Sequence, residues 1–265
     1  MDPFFYLVIL AGILAGASTS LLGVYIVGMK MPFIGTCISH AAITGIVFAT
    51  LAGLTYTTAA GVVFSVLAAI SLSAVKADKP CIDANLGLAI MLSLMLGLAF
   101  MGMGLMQDSR TELLGLLWGS ILFVRQETII TVAIMATALV LFLVLFGKEM
   151  KTLLFSRSIA AATGVHENFV YCIFLALCGL ILSVNLRIIG GLLIFCLITN
   201  PPAAAYQICS SYKSVVIVSV FFGVLSAVGG LFMSLQFNLP TGAAVVLTST
   251  AIFILCAGYS RLTAR

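Results

Sequence analysis

Uninterrupted apolar runs of about twenty residues recur from one end of this 265-residue chain to the other. No other feature limits the fold so sharply. A run of that length crosses the hydrocarbon core of a bilayer as an α-helix. Lipid offers no partners to backbone N–H and C=O groups, so spanning segments must be helices or closed barrels. The ten-residue alternating segments of a barrel are absent. Composition closes the remaining route: 63% of residues are hydrophobic and 8% charged, too few charges to cover a soluble surface. The reading is all-α, a polytopic transmembrane helical bundle forming one membrane domain over residues 1–265.

Nine spans are expected, at about 5–27, 33–53, 57–75, 84–105, 128–147, 169–185, 188–208, 214–236 and 241–259. The opening run follows Asp2 and no basic residue, so it is read as a first membrane helix and not as a cleaved signal. The segment 114–124, with Trp118, is too short to cross and suits an interfacial or re-entrant helix. Basic residues set the orientation. Lys30, Lys76, Lys79, Lys148, Lys151, Arg157, Lys213, Arg261 and Arg265 fall on one side, and Arg110, Arg125 and Arg187 on the other. The richer side is expected to be cytoplasmic, with the N-terminus outside and the C-terminus inside. The seven cysteines, Cys37, Cys81, Cys172, Cys178, Cys196, Cys209 and Cys256, form no CxxC pair and no disulfide framework.

Several chemistries lack their motifs. There is no GxxxxGK[ST] phosphate loop, no HExxH and no GxSxG elbow. Nor is there a basic, aromatic patch suited to nucleic acid. The chain is therefore read as a non-enzymatic membrane component whose energy comes from elsewhere.

Two polar islands interrupt the oil. In "GTCISHAA" (35–42), Thr36, Cys37 and His40 lie at i, i+1 and i+4 of one helical turn. Imidazole and thiolate suit Zn²⁺ and other borderline-soft ions. An ionisable group inside a span is a functional candidate by default; the competing reading is a neutral histidine bonding one helix to another. In "LITNPPAAA" (197–205), Pro201 and Pro202 remove two backbone donors and are expected to break the helix, leaving Asn200 at the break as a pathway candidate or at a mere packing kink. Gly12 and Gly16 form a GxxxG spacing suited to helix contact. The cytoplasmic connection 148–168 carries a helix-like run, "SRSIAAATGV", with a serine N-cap candidate and Gly164 as its stop; it is a docking surface or an amphipathic linker.

Four segments together resemble the membrane permeases of the metal-transporting ABC importer family, which serves zinc, manganese and iron uptake. They are "MPFIGTCISHAAITGIVFATLAG" (31–53), "KEMKTLLFSRSIAAATGV" (148–165), "NLRIIGGLLIFCLITNPPAAA" (185–205) and "LPTGAAVVLTSTAIFIL" (239–255). The resemblance implies a vitamin-B12-permease-like fold in an inner membrane. It also implies a second permease copy as homodimer partner, cytoplasmic ABC ATPase subunits and an extracytoplasmic metal-binding protein. A divalent metal ion would be transported substrate, with no permanently bound cofactor. Ser156, Arg157, Ser158, Ala160 and Gly164 would belong to the ATPase-coupling helix, and His40, with Thr36 and Cys37, to the metal path. Asn200 and Pro201 would lie near that path. Family members usually carry an aspartate at the position of Thr36 and acidic residues at the start of the coupling segment, and this chain has neither. The loss of a carboxylate beside Cys37 favours zinc over the harder manganese ion. A stand-alone channel or secondary carrier using His40 is the alternative function. A membrane enzyme using Cys37 and His40 lacks a third group to orient the imidazole.

Overall fold

A computed structural model describes residues 3–74, 84–106, 126–155 and 167–263. Within them the chain forms ten helices: α1 (Pro3–Gly28), α2 (Phe33–Leu51), α3 (Thr57–Ala74), α4 (Ala84–Leu105), α5 (Gln126–Leu145), α6 (Gly147–Phe155), α7 (Glu167–Ile189), α8 (Gly191–Ile208), α9 (Tyr212–Phe237) and α10 (Thr241–Thr263). Nine of them stand where spans were expected. Seven are long and apolar enough to cross a membrane, while the apolar parts of α3 (57–72) and α8 (193–208) are shorter.

The helices sort into a buried centre and a lipid-facing rim. The apolar windows of α2, α7 and α1 are 78%, 67% and 61% buried, against 22% for α4 and α5 and 28% for α10. Water does not drive helices together in lipid, so close backbone approach and polar contacts must do it. α1 shows both devices. A Cβ placed on Gly16 would lie 2.7 Å from the Gly223 carbonyl oxygen of α9, and Ser20 donates to the Ser219 carbonyl at 2.5 Å. Gly23 sits against the Ile198 carbonyl and Pro202 of α8. The expected GxxxG face is thus half present: Gly16 packs, but Gly12 has no neighbour within 4 Å of its notional Cβ. The working spacing is Gly16–Ser20–Gly23. Elsewhere Gly45 meets the Ala60 carbonyl between α2 and α3, and Gly230 meets Val245 between α9 and α10.

Three local expectations need correction. The chain does not break at Pro201 and Pro202, since α8 is helical through both to Ile208. Each proline removes one N–H, but the fixed φ of proline is itself helical, and the neighbouring helix covers the freed Ile198 carbonyl. Second, the connection expected at 186–187 lies later: α7 continues through Arg187 to Ile189, and the chain turns at Gly190, φ 92° and ψ 153°. That region is essentially reserved for glycine, so Gly190→Ala is expected to cost about 1–3 kcal/mol and to lower the thermal unfolding midpoint measurably. Gly191→Ala, whose Cβ would meet only the ends of the Ile43 and Leu186 side chains at 3.2 and 3.3 Å, is expected to cost less. Third, residues 148–155 are not loop. They form α6, an amphipathic helix with Met150 and Leu153 buried and Lys148 and Lys151 exposed. The turn between α9 and α10 lies at Asn238–Pro240 as expected, with Asn238 left-handed (φ 51°), while Gly242 belongs to α10. Segment 114–124, Cys81 and the run 156–165 lie outside the described residues.

Candidate functional site

α2 is threaded through the centre of the bundle, against α3, α4, α7 and α8. No proline or charge interrupts it between Phe33 and Leu51, and small residues at Gly35, Ala41, Ala42 and Gly45 let its neighbours close in. That placement buries His40 to 4% exposure. The ring is oriented from within the same helix: Nδ1 lies 2.8 Å from the Thr36 carbonyl oxygen. A carbonyl only accepts, so Nδ1 carries the proton and Nε2 keeps its lone pair. Nε2 makes no hydrogen bond with any described residue. A histidine that donates one ring N–H to a backbone carbonyl while presenting the other nitrogen has the arrangement seen in metal-ligating imidazoles.

The surroundings are polar on one side only. The Thr36 hydroxyl oxygen is buried with no hydrogen-bond partner, an uncommon condition for a buried polar atom. One turn beyond His40, the Thr44 hydroxyl contacts the His40 carbonyl at 2.8 Å and the Met95 carbonyl of α4 at 2.9 Å, tying α2 to α4 in register. Cys37, three residues before His40 on the same helix, is a free thiol fully buried among apolar side chains. So the structure keeps Thr36 and His40 together on one stripe of α2 and seats Cys37 in hydrocarbon packing. Among the described residues no three His, Cys, Asp or Glu side chains converge. A cation passing His40 would therefore find at most one further such donor, the Cys37 sulfur, and would draw the rest from hydroxyl and carbonyl oxygens or from outside these residues.

Asn200 makes different contacts. Its Nδ2 donates to Ser249 Oγ and Thr250 Oγ1 of α10, both at 3.1 Å, and its Oδ1 lies 3.4 Å from the Thr199 hydroxyl. The amide holds α8 to α10, and Pro201 beside it is buried. Ser156, Arg157, Ser158, Ala160 and Gly164 lie outside the described residues. Two polar contacts escaped sequence reasoning. Asn185 of α7, fully buried, donates to Ser18 of α1 at 3.0 Å. The hydroxyls of Tyr25 and Tyr212 bond to each other at the ends of α1 and α9. The signal available for the second was only that both tyrosines stand at the same end of their spans as the lysine-rich loops.

Helices long and apolar enough to cross a membrane, packed among the described residues around a buried histidine, define a polytopic membrane protein. The chain belongs to the ABC 3 transport family, whose profile matches residues 1–260. It is 27% identical over 247 residues to the manganese transport system membrane protein MntC of Listeria monocytogenes, covering 93% of this chain and 87% of that protein. It is 26% identical to the high-affinity zinc uptake system membrane protein ZnuB of Haemophilus influenzae, covering 93% and 94%. Among solved structures, PsaBC from Streptococcus pneumoniae in complex with Fab superposes with a TM-score of 0.84 at 26% identity, over 99% of this chain and 96% of that one. An inward-facing metal-chelate type ABC transporter shares the fold, with a TM-score of 0.77 at 16% identity over 96% and 85%.

Proposed function

We propose that the chain is the permease subunit of an ATP-binding cassette importer for divalent metal ions, with zinc preferred over manganese. The full-length match to permeases of both metals carries the first part of this reading. The two sets of relatives are about equally similar to this chain, so the preference rests on donor chemistry. His40 offers an imidazole Nε2, the neighbouring threonine offers a neutral hydroxyl, and Cys37 is the soft donor within one turn along α2. Manganese favours carboxylate and carbonyl oxygen; nitrogen and sulfur suit zinc. Cytoplasmic ATPase subunits would supply the energy, an extracytoplasmic binding protein the metal, and a second permease copy the other half of the pathway.

The test is ATP-dependent uptake by the assembled transporter in liposomes, with free Zn²⁺ and Mn²⁺ at equal concentration. Zinc uptake is expected to exceed manganese uptake, and Cys37→Ser to narrow the gap. Strong manganese uptake unchanged by Cys37→Ser would overturn the zinc preference. Metal movement by the purified chain alone, without ATP, would replace the ABC reading with the stand-alone channel or carrier.

A further inference from the structure

Two adjoining cavities lie at the lysine-rich end of α1, α5 and α9, away from His40. The larger, about 600 Å³, runs between α1 (Ala17 to Tyr25), α5 (Ala136 to Val144) and α9 (Tyr212 to Val220). Its walls are apolar, and it opens sideways towards the bilayer, where Val144 and Ile217 are 74% and 68% exposed. Ser18 in its wall has no proton left to donate, because it donates to the Ala15 carbonyl, and it also accepts from Asn185. Eight residues of helix make the groove about 12 Å long, close to the ~15 Å of hydrocarbon in one leaflet.

The smaller cavity, about 310 Å³, adjoins this groove and is the more polar of the two: Lys151 of α6, Tyr206, Ser210, Ser211 and Tyr212 line it beside Leu154, Cys209 and Val215. Tyr212 forms the wall common to both, braced by its bond to Tyr25. Lys151 Nζ stands 4.7 Å from the Tyr212 ring centre, and Lys213 stands at the mouth of the large groove. No acidic residue occurs in 17–28, 136–145 or 206–220. Glu149 is two positions from Lys151 on α6, and so projects from a different face of that helix.

We propose that this is a binding site for one anionic phospholipid of the adjoining leaflet. An acyl chain fills the apolar groove, and the phosphodiester sits between Lys151 and Lys213 among the serine and tyrosine hydroxyls. Charge complementarity selects this occupant. A two-fold contact centred here would bring the same two lysines of a second copy to the same mouth, whereas a phosphate brings the opposite charge. The bound lipid would clamp α6 onto α9.

Native mass spectrometry of the full-length permease in nonionic detergent tests this, using palmitoyl-oleoyl phosphatidylglycerol and the matching phosphatidylcholine as probes. Wild type is expected to bind phosphatidylglycerol on the order of tenfold more tightly. K151Q/K213Q should bind the two lipids equally, and the milder Lys213→Gln should fall between. Both lysines are exposed, and thermal melts would check each variant for folding. Equal binding by wild type, or a preference that survives in folded K151Q/K213Q, would overturn the proposal. So would dissociation of a dimer by the groove-filling Val216→Trp, which would make the groove a subunit contact.

Discussion

Gly23→Val is expected to leave little folded permease in detergent extracts, with a stability loss of about 3 kcal/mol or more. The reason lies in the neighbouring helix. Pro202 has no N–H, so the Ile198 carbonyl four residues earlier lacks its intrahelical donor. α1 covers that carbonyl by bringing the Cα of Gly23 against it, a contact of the Cα–H···O type. A Cβ on Gly23 would meet the Ile198 oxygen, Pro202 Cγ at 2.7 Å and the Ile198 carbonyl carbon at 2.9 Å. Two of these belong to backbone, which cannot swing aside as a side-chain end can. Separating the helices would strand an unbonded carbonyl in the membrane interior, where each such group costs several kcal/mol. Fluorescence-detected size-exclusion after a heat step would measure the loss. Gly97→Val on α4 is the control, since nothing lies within 4 Å of its notional Cβ. Equal thermal stability of the two variants would show that the α1–α8 contact is not the constraint described.

The second large effect is expected at His40. In the assembled transporter, His40→Ala should lower metal uptake per folded molecule by at least about a hundredfold, the upper end of what losing even an indirect ligand contact costs. Folding should suffer much less. The Nδ1–Thr36 bond lies within one helix, and its removal strands no carbonyl, because the Thr36 oxygen still faces the residue-40 backbone N–H. These two readouts separate the competing roles. A histidine that only packs helices would, on truncation, lower the melting temperature and leave uptake per folded transporter unchanged. Metal-stimulated ATPase activity, measured beside uptake, would show whether coupling is lost together with transport.

Much of the architecture was legible in the chain itself, and the reason is the solvent. A bilayer demands one long apolar run per crossing, so the helix positions can be read without knowing their neighbours. Nine of the helices stand at the expected places. The errors fell where a neighbour decides the outcome. Pro201 and Pro202 looked like a break because a proline pair removes two donors; α8 survives because α1 covers one of the carbonyls they free. The connection between α7 and α8, expected at 186–187, lies instead at Gly190, where a positive φ is cheap only for glycine. Gly12 and Gly16 looked alike, and only Gly16 meets another helix.

The candidate site divides in the same way. His40 was legible because an ionisable side chain in a span is rare, and its i−4 partner is fixed by helix geometry alone. Thr36 and Cys37 could not be told apart, since adjacent residues differ by about 100° around a helix and only the positions of α3, α4, α7 and α8 say which direction is core. Asn200 likewise became a strut when α10 supplied Ser249 and Thr250 as its partners. The sequence by itself determined the helices, their order and the histidine's rarity, because hydrocarbon length and local hydrogen bonds are properties of a single segment. Tertiary structure alone decided which small residues touch, which polar atoms remain unpaired and which face of α2 is sealed, because each depends on atoms that a second helix brings.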